Sequence, residues 1–128
     1  RDQVQNFDEI ISEAITKGIN IGWTNPCIEE WFSAYFGAMP TYANSVSCCN
    51  GFEQIFERNA HQKYVKSDLA IYEKLNRFGN EEKAIRIATQ KMHDHRIQGK
   101  YKPSEQIPGT TVHLLVDEIK SKINQKEK

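Results

Sequence analysis

With 128 residues, 38% of them hydrophobic and 27% charged, the chain has the material for one core and the composition of an ordinary globular domain. No apolar run approaches the roughly 20 residues that span a bilayer, and the start does not read as a secretory leader. Three cysteines, two of them adjacent as Cys48-Cys49, neither frame disulfides nor have zinc-site spacing, so they read as reduced thiols of a cytoplasmic protein. Net charge is zero but uneven: residues 1–64 hold 8 acids and 4 bases, residues 65–128 hold 9 and 13. The first half suits cations and the second phosphate, unless both are simply solvated surface.

In chain order, Phe7, Ile10, Ile11, Ala14 and Ile15 mark one helix face, with Asn6 and Glu9 in capping-box spacing and Gly18 as a stop. Ile19, Ile21 and Trp23 then alternate as a short strand. Asn25 as N-cap and Pro26 as first helical residue open a second helix, whose stripe Ile28, Trp31, Phe32, Tyr35 and Phe36 ends at Gly37. A strand that turns directly into a helix sets the junction on the carboxyl edge of a sheet, where open α/β sheets build their sites. One strand cannot stand alone, and no partner precedes it in the chain, so the sequence reads as a piece of a longer protein.

Residues 38–50, with Pro40, small residues and the cysteine pair, read as a loop. Asn50 and Glu53 are spaced as a capping box before Phe52, Ile55 and Phe56. Ser67 is placed to cap a helix carrying Leu69, Tyr72 and Leu75 that ends at Gly79, and Asn80 with Glu81 and Glu82 opens the next, which runs to about Arg96. Residues 98–109 are rich in turn formers. Thr110 or Thr111 caps a last helix with Val112, Leu115, Val116, Ile119 and Ile123 on one face. The expected fold class is α/β but mostly helical, with fewer than about one residue in eight in strand.

The junction Asn25-Pro26-Cys27-Ile28-Glu29-Glu30-Trp31 and the distant run Pro108-Gly109-Thr110-Thr111-Val112-His113 together resemble the RloB-like family of abortive-infection proteins, linked to restriction and phage defence. Tyr64, Lys66 and Asp68 resemble the family's Tyr-x-Lys and following Asp, in the right order. The chain departs at Ile28, where the family usually has an aromatic, at Glu30, where it has Leu, and at Tyr35, where it has His. The family is similar to Toprim-like proteins, which hold a divalent metal on an early Glu and an Asp-x-Asp. The resemblance therefore implies that residues 1–37 are the later half of a Toprim-like α/β unit and residues 38–128 a helical extension packed on it as one compact unit. Asp2 would be the second Asp of the pair, the early Glu and first Asp lying before Arg1.

For function, the resemblance implies a portion of a bacterial phage-defence effector similar to a metal-dependent nuclease, using Mg²⁺ or Mn²⁺ in the intact protein and inactive as this chain alone. Asp2 and Glu29 are the candidate catalytic and metal carboxylates, against readings in which Asp2 is a frayed terminus and Glu29 a helix-surface charge. Lys83, Arg86, Gln90 and His93 share one helix face opposite Ala84, Ala88 and Met92, either to meet phosphates or as a solvated face. Lys66 joins them as a candidate nucleic-acid contact. Asn25, Tyr64, Thr110, Thr111 and His113 are candidate site-organising residues, although Tyr64 and Lys66 equally suit docking of the helical part, and His113 a half-buried helix start. Trp31 and Phe36 read as core, and Cys27 has no base within sequence reach to make it a nucleophile. The alternative is a non-catalytic module that docks on a partner ATPase.

Overall fold

The computed structural model describes residues 6–126. Among them are six α-helices and two very short strands: α1 (Phe7–Thr16), β1 (Thr24–Asn25), α2 (Ile28–Ala34), α3 (Ser45–Ala60), α4 (Ile71–Phe78), α5 (Glu81–Ile97), β2 (Gly109–Thr110) and α6 (Val112–Lys126). The chain is thus mostly helical, with helix, strand and helix in the expected order at its start. No helix among the described residues is long and apolar enough to cross a membrane.

The alternating run 19–23 is not a strand. Pairing begins one residue later, at Thr24, because the partner is β2, antiparallel with Thr24 opposite Thr110 and Asn25 opposite Gly109. The partner expected outside the chain is supplied from within it. Upstream of the pair, the Thr111 N–H donates to the Trp23 carbonyl and the Thr111 hydroxyl to the Ile21 carbonyl, so one side chain replaces a strand rung.

The starts of α1, α3 and α4 also differ from the sequence reading. At α1 the Asn6 backbone is left-handed (φ 59°) and its side chain makes no capping bond. The third helix begins at Ser45, not after Asn50, since Asn44 and Ser47 form the reciprocal capping box. Cys48, Phe52 and Phe56 then fall at i, i+4 and i+8 and are all buried. Small residues mask such a helix from a loop-versus-helix reading. Asp68 rather than Ser67 organises the entry to α4, accepting from the Ala70 N–H at 2.9 Å, while Leu69 stands fully in solvent. Asn80 caps α5 as expected, accepting from the Lys83 N–H.

The core is built around α2, which packs between α3 and α5. Trp31, Ala34 and Tyr35 meet Phe52, Phe56, Leu75, Ala84 and Ala88, the two alanines leaving room for close helix approach. Phe52 is the hub of the ring cluster, 4.7 Å from Tyr64, 5.7 Å from Phe32 and 5.8 Å from Phe56. Such pairs add about 0.5–1.5 kcal/mol each beyond burial. A Cβ at Gly79 would meet the Tyr35 carbonyl at 2.8 Å, and the adjacent Asn80 N–H donates to that same carbonyl. That contact ties the end of α2 to the α4–α5 junction. A smaller cluster of Phe7, Ile11, Trp23 and Met92 seats α1.

Candidate functional site

The sequence's two motif segments meet at the strand pair. Thr24 and Thr110 hydroxyls lie 2.9 Å apart, and the Thr110 hydroxyl also donates to the Trp23 carbonyl and accepts from the Val112 N–H. The Trp23 N–H donates to the Thr111 hydroxyl at 3.1 Å. Asn25 donates its amide to the Pro103 carbonyl, and the His95 Nε2 lies 2.6 Å from the Pro108 carbonyl. Both Asn25-Pro26 and Ile107-Pro108 are cis. Pro26 lies outside α2, whose N-cap is Cys27, so neither Asn25 nor Pro26 takes the helix-opening place expected of it. This buried polar seam locks β1, β2 and the start of α6 together, and β1 leads directly into the first turn of α2.

That turn reverses the expected amphipathic face. Ile28 is 38% exposed, whereas Glu29 and Glu30 are both 0% exposed. The surface-charge reading of Glu29 fails, because α2 is enclosed on several sides and its first turn points inward. Tyr64 donates its hydroxyl to Glu29 Oε2 at 2.7 Å, and the Lys66 ammonium lies 3.7 Å from Oε1. Oε1 has no hydrogen-bond partner. Burial, then the bond to Glu29 and its charge, pushes the Tyr64 phenol well above its usual range. The Tyr-x-Lys residues, more than thirty positions downstream, thus close over the motif glutamate.

Glu30 faces the other way, toward α3 and α5. The Cys48 thiol donates to its Oε2 at 3.7 Å, and Oε1 has no partner. Burial pushes its carboxyl up to about 8, against the weaker pull of the Cys48 bond and the Lys91 charge. Cys48 is itself pushed far up, by the neighbouring Cys27 thiol, by burial and by the charge of Glu30. Cys27 is buried and donates to the Ser45 carbonyl. Sequence reading did not single out Glu30, although the signal was present: it occupies a position where the resembling family has Leu, a residue that belongs inside.

His113 is buried against Trp31, ring centroids 6.4 Å apart, and its Nδ1 has no partner. Burial lowers its affinity for a proton, with Asp117 opposing and Arg96 assisting. Lys83, Arg86 and His93 are all exposed on α5, on the side away from buried Ala84, Ala88 and Met92. Asp2 lies outside the described residues, so its place relative to Glu29 is not part of this geometry. Among the described residues, no group of three His, Cys, Asp or Glu side chains is arranged to hold a metal ion. Glu29, with one oxygen on Tyr64 and the other beside an ammonium, does not make a metal centre by itself.

No curated protein and no solved structure matches this chain. The family model for RloB-like proteins matches residues 1–119, spanning both motif segments, Tyr64 and Lys66, and on that match the chain belongs to the RloB-like protein family.

Proposed function

We propose that the chain is a portion of a bacterial phage-defence effector resembling a metal-dependent, Toprim-like nuclease, in which Glu29 organises the site. The observation that carries this reading is the convergence of Glu29, Tyr64 and Lys66. A fully buried carboxylate is costly unless it is held by donors and a cation, and here the holders are themselves motif residues. Tyr64 anchors Oε2, which leaves Oε1 directed at the Lys66 ammonium. Lys66 is 61% exposed, so it carries positive charge from the buried carboxylate to the surface, the sign that a phosphodiester requires. Mg²⁺ or Mn²⁺ would be held by Asp2 together with carboxylates beyond this chain. The roles derived for the chain's own residues are orientation and charge placement.

Metal-dependent cleavage of DNA and RNA by the intact protein tests the reading, with Asp2→Ala and Glu29→Gln as variants. Both should lose at least about tenfold in cleavage, since small misplacements at a site cost that much or more. Equal cleavage by wild type and both variants removes the assigned roles. Lys83→Gln with Arg86→Gln should lower the salt dependence of duplex binding by up to about two contacts, each worth roughly 0.9 in slope.

A second reading has its own support. Ile15, Ile19 and Leu114 are each more than half exposed and line one groove, an apolar surface of the kind that marks interaction faces. In that reading the chain is a non-catalytic module docking on a partner ATPase. An intact protein without nuclease activity that co-elutes with the ATPase, and loses it on Leu114→Asp, would favour the module.

A further inference from the structure

A groove of about 950 Å³ runs between α1 and residues 101–103. Apolar side chains line it, Ile11, Trp23 and Pro103 among them, together with three carboxylates of α1, Asp8, Glu9 and Glu13, and one cation, Lys102. Further cations stand near Lys102 along the chain. From His95 to Ser104 the chain has Arg96, Lys100 and Lys102 and no acidic residue. None of these three cations makes an ion pair among the described residues. Between the two lysines, Tyr101 is 71% exposed, an aromatic ring left in water at the mouth of an apolar groove.

The turn that presents Tyr101 is held in place. The Lys100 N–H donates to the His95 carbonyl at 2.9 Å, the Gly99 N–H to the Arg96 carbonyl at 3.0 Å, and the Gln106 amide to the Lys100 carbonyl at 3.0 Å. Gly99 supplies the positive φ of 79° that the turn needs. Ser104, just beyond, is fastened to α1 by its N–H donating to Asp8 at 2.7 Å. Little ordering would remain for binding to impose.

We propose that this turn and groove form a ledge for single-stranded nucleic acid, with an unpaired base stacked on Tyr101 over the groove and the neighbouring phosphates on Lys100, Lys102 and Arg96. Exposed rings beside cations recognise unpaired bases because every base has a π-face and every linkage a negative charge. A duplex keeps its bases stacked inside and presents no face to Tyr101. The carboxylates of Asp8, Glu9 and Glu13 repel phosphate, which confines the strand's backbone to the lysine side. The ledge rests on the nuclease reading and extends it by naming the strand class, and Glu29 is not among the residues lining the groove.

The test is fluorescence anisotropy of the full chain with labelled single-stranded oligo-dT and oligo-U, and with a duplex of equal length, across a salt series. Single strands should bind more tightly than duplex. Tyr101→Ala should weaken strand binding at least about fivefold while Tyr101→Phe retains it, as base–aromatic stacking requires. Lys100→Gln with Lys102→Gln should lower the single-strand salt slope by about 1.4, two contacts at roughly 0.7 each. Thermal melting of the variants should stay close to wild type, because Tyr101 and Lys102 are exposed and Lys100 is half-buried without an ion pair among the described residues. Unchanged binding by Tyr101→Ala overturns the ledge, as does equal loss with Tyr101→Phe or a preference for duplex. Tyr101→Ala that binds and cleaves as wild type would remove the ledge and leave the nuclease reading standing. Strand binding that survives Glu29→Gln while cleavage is lost would support both.

Discussion

Replacing Glu30 by Gln should stabilise the protein increasingly as pH rises. Its carboxyl moves from 4.5 to about 8 on folding because it is enclosed by α2, α3 and α5 with a thiol as its hydrogen-bond donor. Between those two values the folded state holds a proton that the unfolded state has released, so stability falls as pH rises through that window. The slope is about 1.4 kcal/mol per pH unit in mid-window and flattens near the folded value, giving a loss of about 2 kcal/mol between pH 6 and pH 8. For a domain of this size that corresponds to a fall in Tm of about 7 °C. Gln keeps the shape and stays neutral. Urea unfolding of wild type and Glu30→Gln, followed by Trp fluorescence at pH 6, 7 and 8, isolates the effect, since groups common to both proteins cancel. His113 is one of those: burial depresses its folded value, so its contribution is present above the unfolded value near 6.5 and lost as pH falls. The variant's advantage should grow by about 2 kcal/mol from pH 6 to pH 8. Parallel curves would mean that Glu30 is ionised or hydrated in the fold, and the reasoning from burial would fail.

Tyr64→Phe should destabilise by about 2 kcal/mol, the worth of a hydrogen bond to a charged group, because Glu29 Oε2 loses its donor while Oε1 has none; chemical denaturation without a measurable change would refute this. Thr110→Val should cost about 1–3 kcal/mol by taking the hydroxyl acceptor from the Val112 N–H and one of the two donors from the Trp23 carbonyl, and Thr110→Ser should recover most of it in the same measurement. Thiol titration of the folded protein should modify half-buried Cys49 first, with Cys27 and Cys48 reacting at the unfolding rate, since both are buried and Cys48 is held as thiol by Cys27, burial and Glu30. Rapid labelling of all three would contradict that packing.

Much of the local structure is legible in the sequence because its signals are local. Asn80 opens α5 through a side chain that reaches only three residues ahead, and Gly79 closes α4 at the residue where the sequence places the stop. The apolar period of α5 and α6 likewise needs no knowledge of neighbours. Where local signals compete, the sequence alone does not choose: two Asn-led capping boxes six residues apart are available for α3, and the earlier one forms because it brings Cys48 into the same buried column as Phe52 and Phe56. The resemblance carried the family, and it brought Tyr64 and Lys66 into consideration together with Glu29.

What the sequence by itself determined is the helical content, most helix ends, the two motif segments and the family to which they belong. Tertiary structure alone decided that β1 pairs with a strand 86 residues away from Thr24, that Glu29 and Glu30 turn inward while Ile28 faces water, and that Tyr64 and Lys66 close on Glu29. The physical reason is that a capping or periodicity signal acts within one or two turns of chain. Whether a charged first turn meets solvent or core depends on which other elements are packed around it, and for α2 those elements, α3, the 61–66 segment and α5, are all supplied from later in the chain.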